Sequence, residues 1–131
     1  MPVPEAVSTA KPFRVLVVED EFLIAMELRA MLEDGGFEVV GPVSTVAAAL
    51  RRLADERPDA AVLDVNLRSE RVTAVAIAPA AAHVPFVLAS AYAPADLAGD
   101  PVLAGARNLG KPTGREALIA AMNDFRTSAA G

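Results

Sequence analysis

The 131 residues contain no cysteine and no tryptophan, and they hold one tyrosine and one histidine. Without thiols, a disulfide framework and a thiolate metal site are both excluded. A reducing compartment is permitted, and the cytoplasm is the default expectation. Basic residues are also sparse: 12 Lys and Arg against 17 Asp and Glu leave a formal net charge of −5 and an isoelectric point near 4.8. The basic residues are scattered and have no aromatic stacking platform between them, so no direct nucleic-acid binding is expected. Hydrophobic residues reach 53% and the mean hydropathy is +0.37. Even so, no run approaches the ~20 apolar residues that span a bilayer, so no membrane insertion is expected. The start, MPVPEAVSTAKP, has neither a basic segment nor an apolar one of the secretory kind. Residues 1–12 read as a flexible tail. The phosphate-binding patterns GxxxxGK[ST] and GxGxxG are missing, which leaves nucleotide binding without support.

What is present alternates regularly. RVLVV (14–18), residues 37–43, AAVL (60–63), PFVLA (85–89) and ARNL (106–109) read as five strands starting near residues 14, 38, 60, 85 and 106. Between the first two, Ile24, Leu28, Met31 and Leu32 recur at helical spacing and Gly35-Gly36 supplies a stop. Ser44 sits where the N-cap of a second helix belongs, with Val46, Leu50 and Leu53 facing inward and Pro58 closing it. A polar loop over 66–71 leads into an alanine-rich third helix over 72–82 that Pro79 would interrupt. Between 94 and 105, Gly99, Pro101 and Gly105 limit any helix to a short one. Thr113 is placed to cap a last helix carrying Leu118, Ala121, Met122 and Phe125 on one face, and TSAAG remains as a tail. Such (βα)5 alternation with short connections predicts one α/β domain: a parallel sheet, right-handed crossovers and helices on both faces.

In a parallel sheet all carboxyl ends face one edge, so Glu19, Asp20, Asp64, Ser90 and Lys111 should converge there. Asp64 taken alone reads equally well as a cap for the following turn. Three carboxylates in one pocket repel one another unless a cation sits among them, and magnesium (Mg2+) suits one or two carboxylates plus phosphate oxygens. Lys111 adds a compact positive charge and Ser90 a hydroxyl. With no histidine or cysteine available as base, the set suits phosphoryl transfer to a carboxylate, in which the protein mostly positions groups and stabilises charge. His83 precedes the fourth strand and reads as a surface or turn residue.

The ordered set VLVVEDE, LDVNL, LASAY and GKP resembles the receiver domain of bacterial two-component response regulators, over roughly Phe13 to Phe125, with a receiver domain placed at 13–127 and a C-terminal tail at 128–131. The resemblance implies a doubly wound, flavodoxin-like three-layer sandwich with a five-stranded sheet of order 2-1-3-4-5. It implies that Asp64 accepts a phosphoryl group from a sensor histidine kinase or histidine phosphotransfer protein. It implies that Mg2+ is held by Asp20, Asp64, the backbone carbonyl of Asn66 and, partly through water, Glu19. Ser90 matches the switch hydroxyl and Lys111 the lysine that pairs with the phosphoryl group, and the Lys111–Pro112 bond is expected to be cis. PFVL-ASAY also resembles a receiver subgroup found largely in alphaproteobacteria, with an atypical fourth-strand motif.

The sequence departs from the family in places. Asp64 and Ser90 lie 26 positions apart, a shorter interval than usual, so the third helix should be short or irregular, and Asn108 stands where an aromatic switch residue is customary. Tyr92, two residues past Ser90, reads either as a gate over the site or as an amphipathic loop residue. The expectation is a phosphorylation-switched binding module rather than an enzyme, with at most slow self-dephosphorylation, acting alone if this is the whole protein. It would be a monomer or weak homodimer with a downstream protein partner. Two rivals remain: a degenerate receiver that is never phosphorylated, and a phosphatase of the haloacid dehalogenase type. The second needs an Asp two residues after the nucleophile, where this chain has Asn66.

Overall fold

A computed structural model describes residues 11–68, 70–78, 81–92 and 94–130. Residues 1–10 of the expected 1–12 tail and the expected interruption at Pro79 lie outside these residues. The described elements run β1 (Arg14–Val18), α1 (Phe22–Asp34), β2 (Glu38–Val43), α2 (Val46–Glu56), β3 (Ala60–Leu63), β4 (Asn66–Leu67), β5 (Glu70–Arg71), α3 (Thr73–Ala76), β6 (Phe86–Leu88), a 3-10 turn (Pro94–Leu97), α4 (Pro101–Ala104) and α5 (Arg115–Ala130). The main sheet is parallel with order β2-β1-β3-β6, and β4 and β5 form a separate antiparallel pair.

Because side chains alternate across a strand, each central strand feeds two cores. Leu16, Val18, Ala61, Leu63 and Leu88 face α2, α3 and α4 and pack with Ala49, Leu53, Val75 and Leu103. Val15, Val17, Ala60, Val62 and Val87 face α1 and α5 and pack with Leu28, Leu32, Leu118 and Met122. This yields the three layers expected of a doubly wound fold, with β1 and β3 buried on both faces. Each fully buried aliphatic side chain contributes roughly 1.5–3 kcal/mol relative to exposure. Among the described residues, no helix is long and apolar enough to cross a membrane.

Several local expectations need correction. The fifth strand contracts to a single bridge, Leu88 to Asn108, because the chain turns away at Gly110, whose φ is +86. The third helix is short, as the clipped Asp64-to-Ser90 interval implies, but it covers only Thr73–Ala76 rather than 72–82, and the polar loop before it folds as the β4–β5 pair. Thr45, not Ser44, caps α2: its side chain accepts the Ala48 N–H at 3.1 Å. Thr113 does not cap α5. Its hydroxyl donates to the Gly110 carbonyl at 2.7 Å, while Gly114 O accepts the first helical N–H, from Leu118. Helix α5 also continues to Ala130, through residues read as tail.

One irregularity shapes the site. Between Leu16↔Val40 and Val18↔Val43 strand β2 carries an extra residue, at Gly41-Pro42. Gly41 has φ +93, and a Cβ there would stand 2.8 Å from Val43 N, so only glycine fits without distortion. The bulge brings Val43 O to the Glu19 N–H at 3.0 Å, which fixes the first acidic residue past β1.

Candidate functional site

Glu19 and Asp20 follow β1, Asp64 follows β3, Ser90 follows β6 and Lys111 follows the Asn108 bridge, so adjacent strand ends place them together. The Asp64 N–H donates to Val18 O at 2.9 Å, holding the two acidic segments side by side. Glu19, Asp20 and Asp64 each offer a carboxylate oxygen within 4.8 Å of the others. Lys111 Nζ lies 3.2 Å from Glu19 Oε1, 3.3 Å from Glu21 Oε1 and 3.4 Å from Asp64 Oδ2. A pocket of about 280 Å3 opens over this group, lined by Asp20, Asp64, Asn66, Ser90, Tyr92 and Lys111.

The carboxylates differ in their surroundings. Asp20 is half-buried, and its Oδ2 accepts the Arg68 N–H at 2.9 Å. Arg68 adopts a left-handed φ of 61 to present it. Glu19 is only 2% exposed. Its Oε2 accepts the Glu21 N–H at 3.0 Å, while the buried Oε1 accepts no hydrogen bond among the described residues and faces the Lys111 ammonium at 3.2 Å as an ion pair. Burial first, and the Asp64 charge second, push the Glu19 carboxyl up to about 7. Burial also raises Asp64, with Lys111 opposing and Asp20 adding to the rise. Burial alone would lower Lys111, yet the Asp64 and Glu19 charges outweigh it and hold its proton more tightly than usual.

A buried carboxylate oxygen that accepts no hydrogen bond among the described residues, beside two converging carboxylates, is a donor set suited to a hard cation. Lys111 compensates part of the excess negative charge and leaves the rest, so oxygen ligands from Glu19, Asp20 and Asp64 fit Mg2+. Asn66 opens β4 at the pocket wall.

The far wall is built by hydrogen bonds. Ser90 is buried, and its Oγ accepts the Tyr92 N–H at 3.0 Å, leaving the hydroxyl hydrogen available to donate. The Asn66 amide donates to the Tyr92 hydroxyl, and Arg71 lies over the Tyr92 ring at 5.6 Å. Arg71 is itself held by Asp100 at 3.1 Å. Tyr92 therefore closes one side of the pocket while remaining 37% exposed. The Lys111–Pro112 bond is cis, as the resemblance implies.

Every site residue read from the sequence is thus at this edge, with the three carboxylates in mutual reach and Lys111 against Glu19 and Asp64. Sequence reasoning missed three contributors: Glu21 as a third partner of Lys111, the Arg68 N–H on Asp20, and the Asn108 side chain, which bonds Ser90, Gly110 and Tyr92. Asn two residues before Gly is a recognisable turn signal and could have exposed the last of these.

Residues 15–123 match the response regulator receiver domain family. The chain is 34% identical over 89 residues to the transcriptional regulatory protein PdtaR of Mycobacterium tuberculosis, covering 67% of this chain and 43% of that protein. It spans less than half the length of that relative. Against the chemotaxis protein CheY of Bacillus subtilis it is 26% identical over 113 residues, covering 84% of this chain and 94% of CheY. Among solved structures, the beryllofluoride-activated conformation of SdrG from Pseudomonas melonis superposes with a TM-score of 0.71 at 40% identity, over 87% of this chain and 97% of SdrG.

Proposed function

The chain belongs to the response regulator receiver domain family of two-component signalling, and from that footing we propose that Asp64 is its phosphoacceptor. The observation that carries the reading is the cluster itself: Asp64 sits against Lys111 and beside two further carboxylates, one of them almost fully buried. An Asp64 carboxylate oxygen attacks the phosphorus of a phosphohistidine on a histidine kinase or phosphotransfer protein. The O–P bond forms as the P–N bond breaks, and the imidazole keeps the electron pair and takes a proton. Mg2+, when bound through Glu19, Asp20 and Asp64, would neutralise carboxylate and phosphoryl charge. Lys111 then pairs with a phosphoryl oxygen, and the Ser90 hydroxyl donates to another. Exposed Phe22 and Leu23 at the start of α1, 72% and 76% accessible, offer apolar contact beside the site for such a partner.

The module is a switch rather than a turnover enzyme. Its pocket holds no histidine or cysteine to act as a base, so loss of the phosphoryl group would be slow. Incubating the protein with acetyl phosphate and Mg2+ and weighing it intact tests the reading. One phosphoryl group per chain, lost in Asp64→Asn, is expected. Steady release of phosphate from a free ester would point to a phosphatase, and no mass change to a receiver that is never phosphorylated.

A further inference from the structure

The carboxyl end of β6 and the loop that carries Lys111 are joined by one side chain. Leu88 N–H donates to Arg107 O and Leu109 N–H donates to Leu88 O, both at 2.8 Å. In a parallel ladder the next bond would run from the Ser90 N–H to Leu109 O. Instead, Ser90 N–H donates to Asn108 Oδ1 at 3.1 Å. The same oxygen accepts the Gly110 N–H at 3.0 Å, and Asn108 Nδ2 donates to Tyr92 O at 3.0 Å. The Asn108 amide thus stands in for a backbone carbonyl, ends the ladder one rung early, and closes a turn of the kind Asx side chains stabilise. Gly110 follows at φ +86, and Lys111 comes next with its ammonium on Asp64.

We infer that Asn108 is the positioning residue that couples the Ser90 loop to the Lys111 loop, so that the two walls of the pocket move as one unit when charge at Asp64 changes. The inference rests on the phosphoacceptor reading for its functional half only. Its structural half stands on the three hydrogen bonds. A displacement of Ser90 pulls on Asn108 Oδ1, which Gly110 shares, and Gly110 is the residue next to Lys111. Tyr92 joins the same unit through its carbonyl. An aromatic side chain swinging between two positions is unnecessary to such coupling, because the link is polar and lies in the pocket wall.

Amide hydrogen exchange of the unphosphorylated protein tests the first half. Asn108→Ala should exchange at Ser90 and Gly110 about tenfold faster than wild type, while Leu109, bonded to Leu88 O, stays as it was. Asn108→Asp keeps an accepting oxygen and should restore protection at both amides. The second half is read from acetyl phosphate labelling with Mg2+: Asn108→Ala should reach full stoichiometry at a rate about fivefold lower, with Asn108→Asp closer to wild type. Unchanged exchange at Ser90 or Gly110 in Asn108→Ala, or loosened amides with an unchanged labelling rate, would overturn the coupling. Wild type that shows the exchange pattern but takes no label would instead overturn the phosphoacceptor reading and leave the link between the loops in place.

Discussion

Glu19 should make the metal-free protein lose stability as the pH rises. Its carboxyl is buried, and burial with the Asp64 charge lifts it from an ordinary value near 4.5 to about 7 in the folded chain. The folded state therefore holds this proton more tightly than the unfolded state does. Stability from this group is fully present below the unfolded value and is lost as pH rises through the folded one. Integrating the linkage between pH 5 and pH 8 gives a loss of about 2 kcal/mol from Glu19. Glu19→Gln removes the titration and keeps an oxygen for the Glu21 N–H. Urea unfolding of both proteins in EDTA at several pH values checks this. The wild-type free energy should fall relative to the variant by about 2 kcal/mol across the range. Parallel curves for the two proteins would refute the raised, buried carboxyl of Glu19. At pH 8, Mg2+ at tenfold its half-saturating concentration should return about 1.4 kcal/mol to wild type.

Other perturbations separate the remaining parts of the account. Lys111→Ala leaves Glu19, Glu21 and Asp64 without their shared cation, so its destabilisation should be greater at pH 8 than at pH 5, and labelling should slow sharply. Thr45→Ala should cost about 1 kcal/mol in thermal or urea unfolding and Ser44→Ala almost nothing, since only Thr45 accepts a helix N–H. Gly41→Ala should destabilise by roughly 1–3 kcal/mol, because the left-handed φ and the 2.8 Å approach to Val43 N both oppose a Cβ. Equal stability of that variant would refute the need for glycine at the bulge.

The fold was legible where periodicity and burial agree. β1 and β3 are apolar runs because both faces are covered, and α1 and α5 show their stripes because one face meets the sheet. The edge of the sheet was harder to read. Residues 106–109 carry strand-like composition, yet Asn108 diverts the ladder into its side chain, and composition does not show where an N–H will go. The α2 cap was read one residue early, at Ser44, because sequence alone does not show which of two adjacent hydroxyls reaches the Ala48 N–H; Thr45 does. At the site, parallel topology alone brought Asp20, Asp64 and Lys111 together, because strand ends share an edge whatever their distance in sequence. Glu21 escaped notice because its role depends on the reach of Lys111 into the first turn after β1.

Borohydride reduction of the labelled protein, followed by peptide mass analysis, tests the central claim most directly, because hydride converts an aspartyl phosphate to homoserine and marks the residue that carried it. Homoserine at position 64, dependent on Mg2+ and absent from Asp64→Asn, is the expected result. Homoserine at position 20 instead, or a label at 64 that forms equally well in EDTA, would contradict the assignment of nucleophile and cation site.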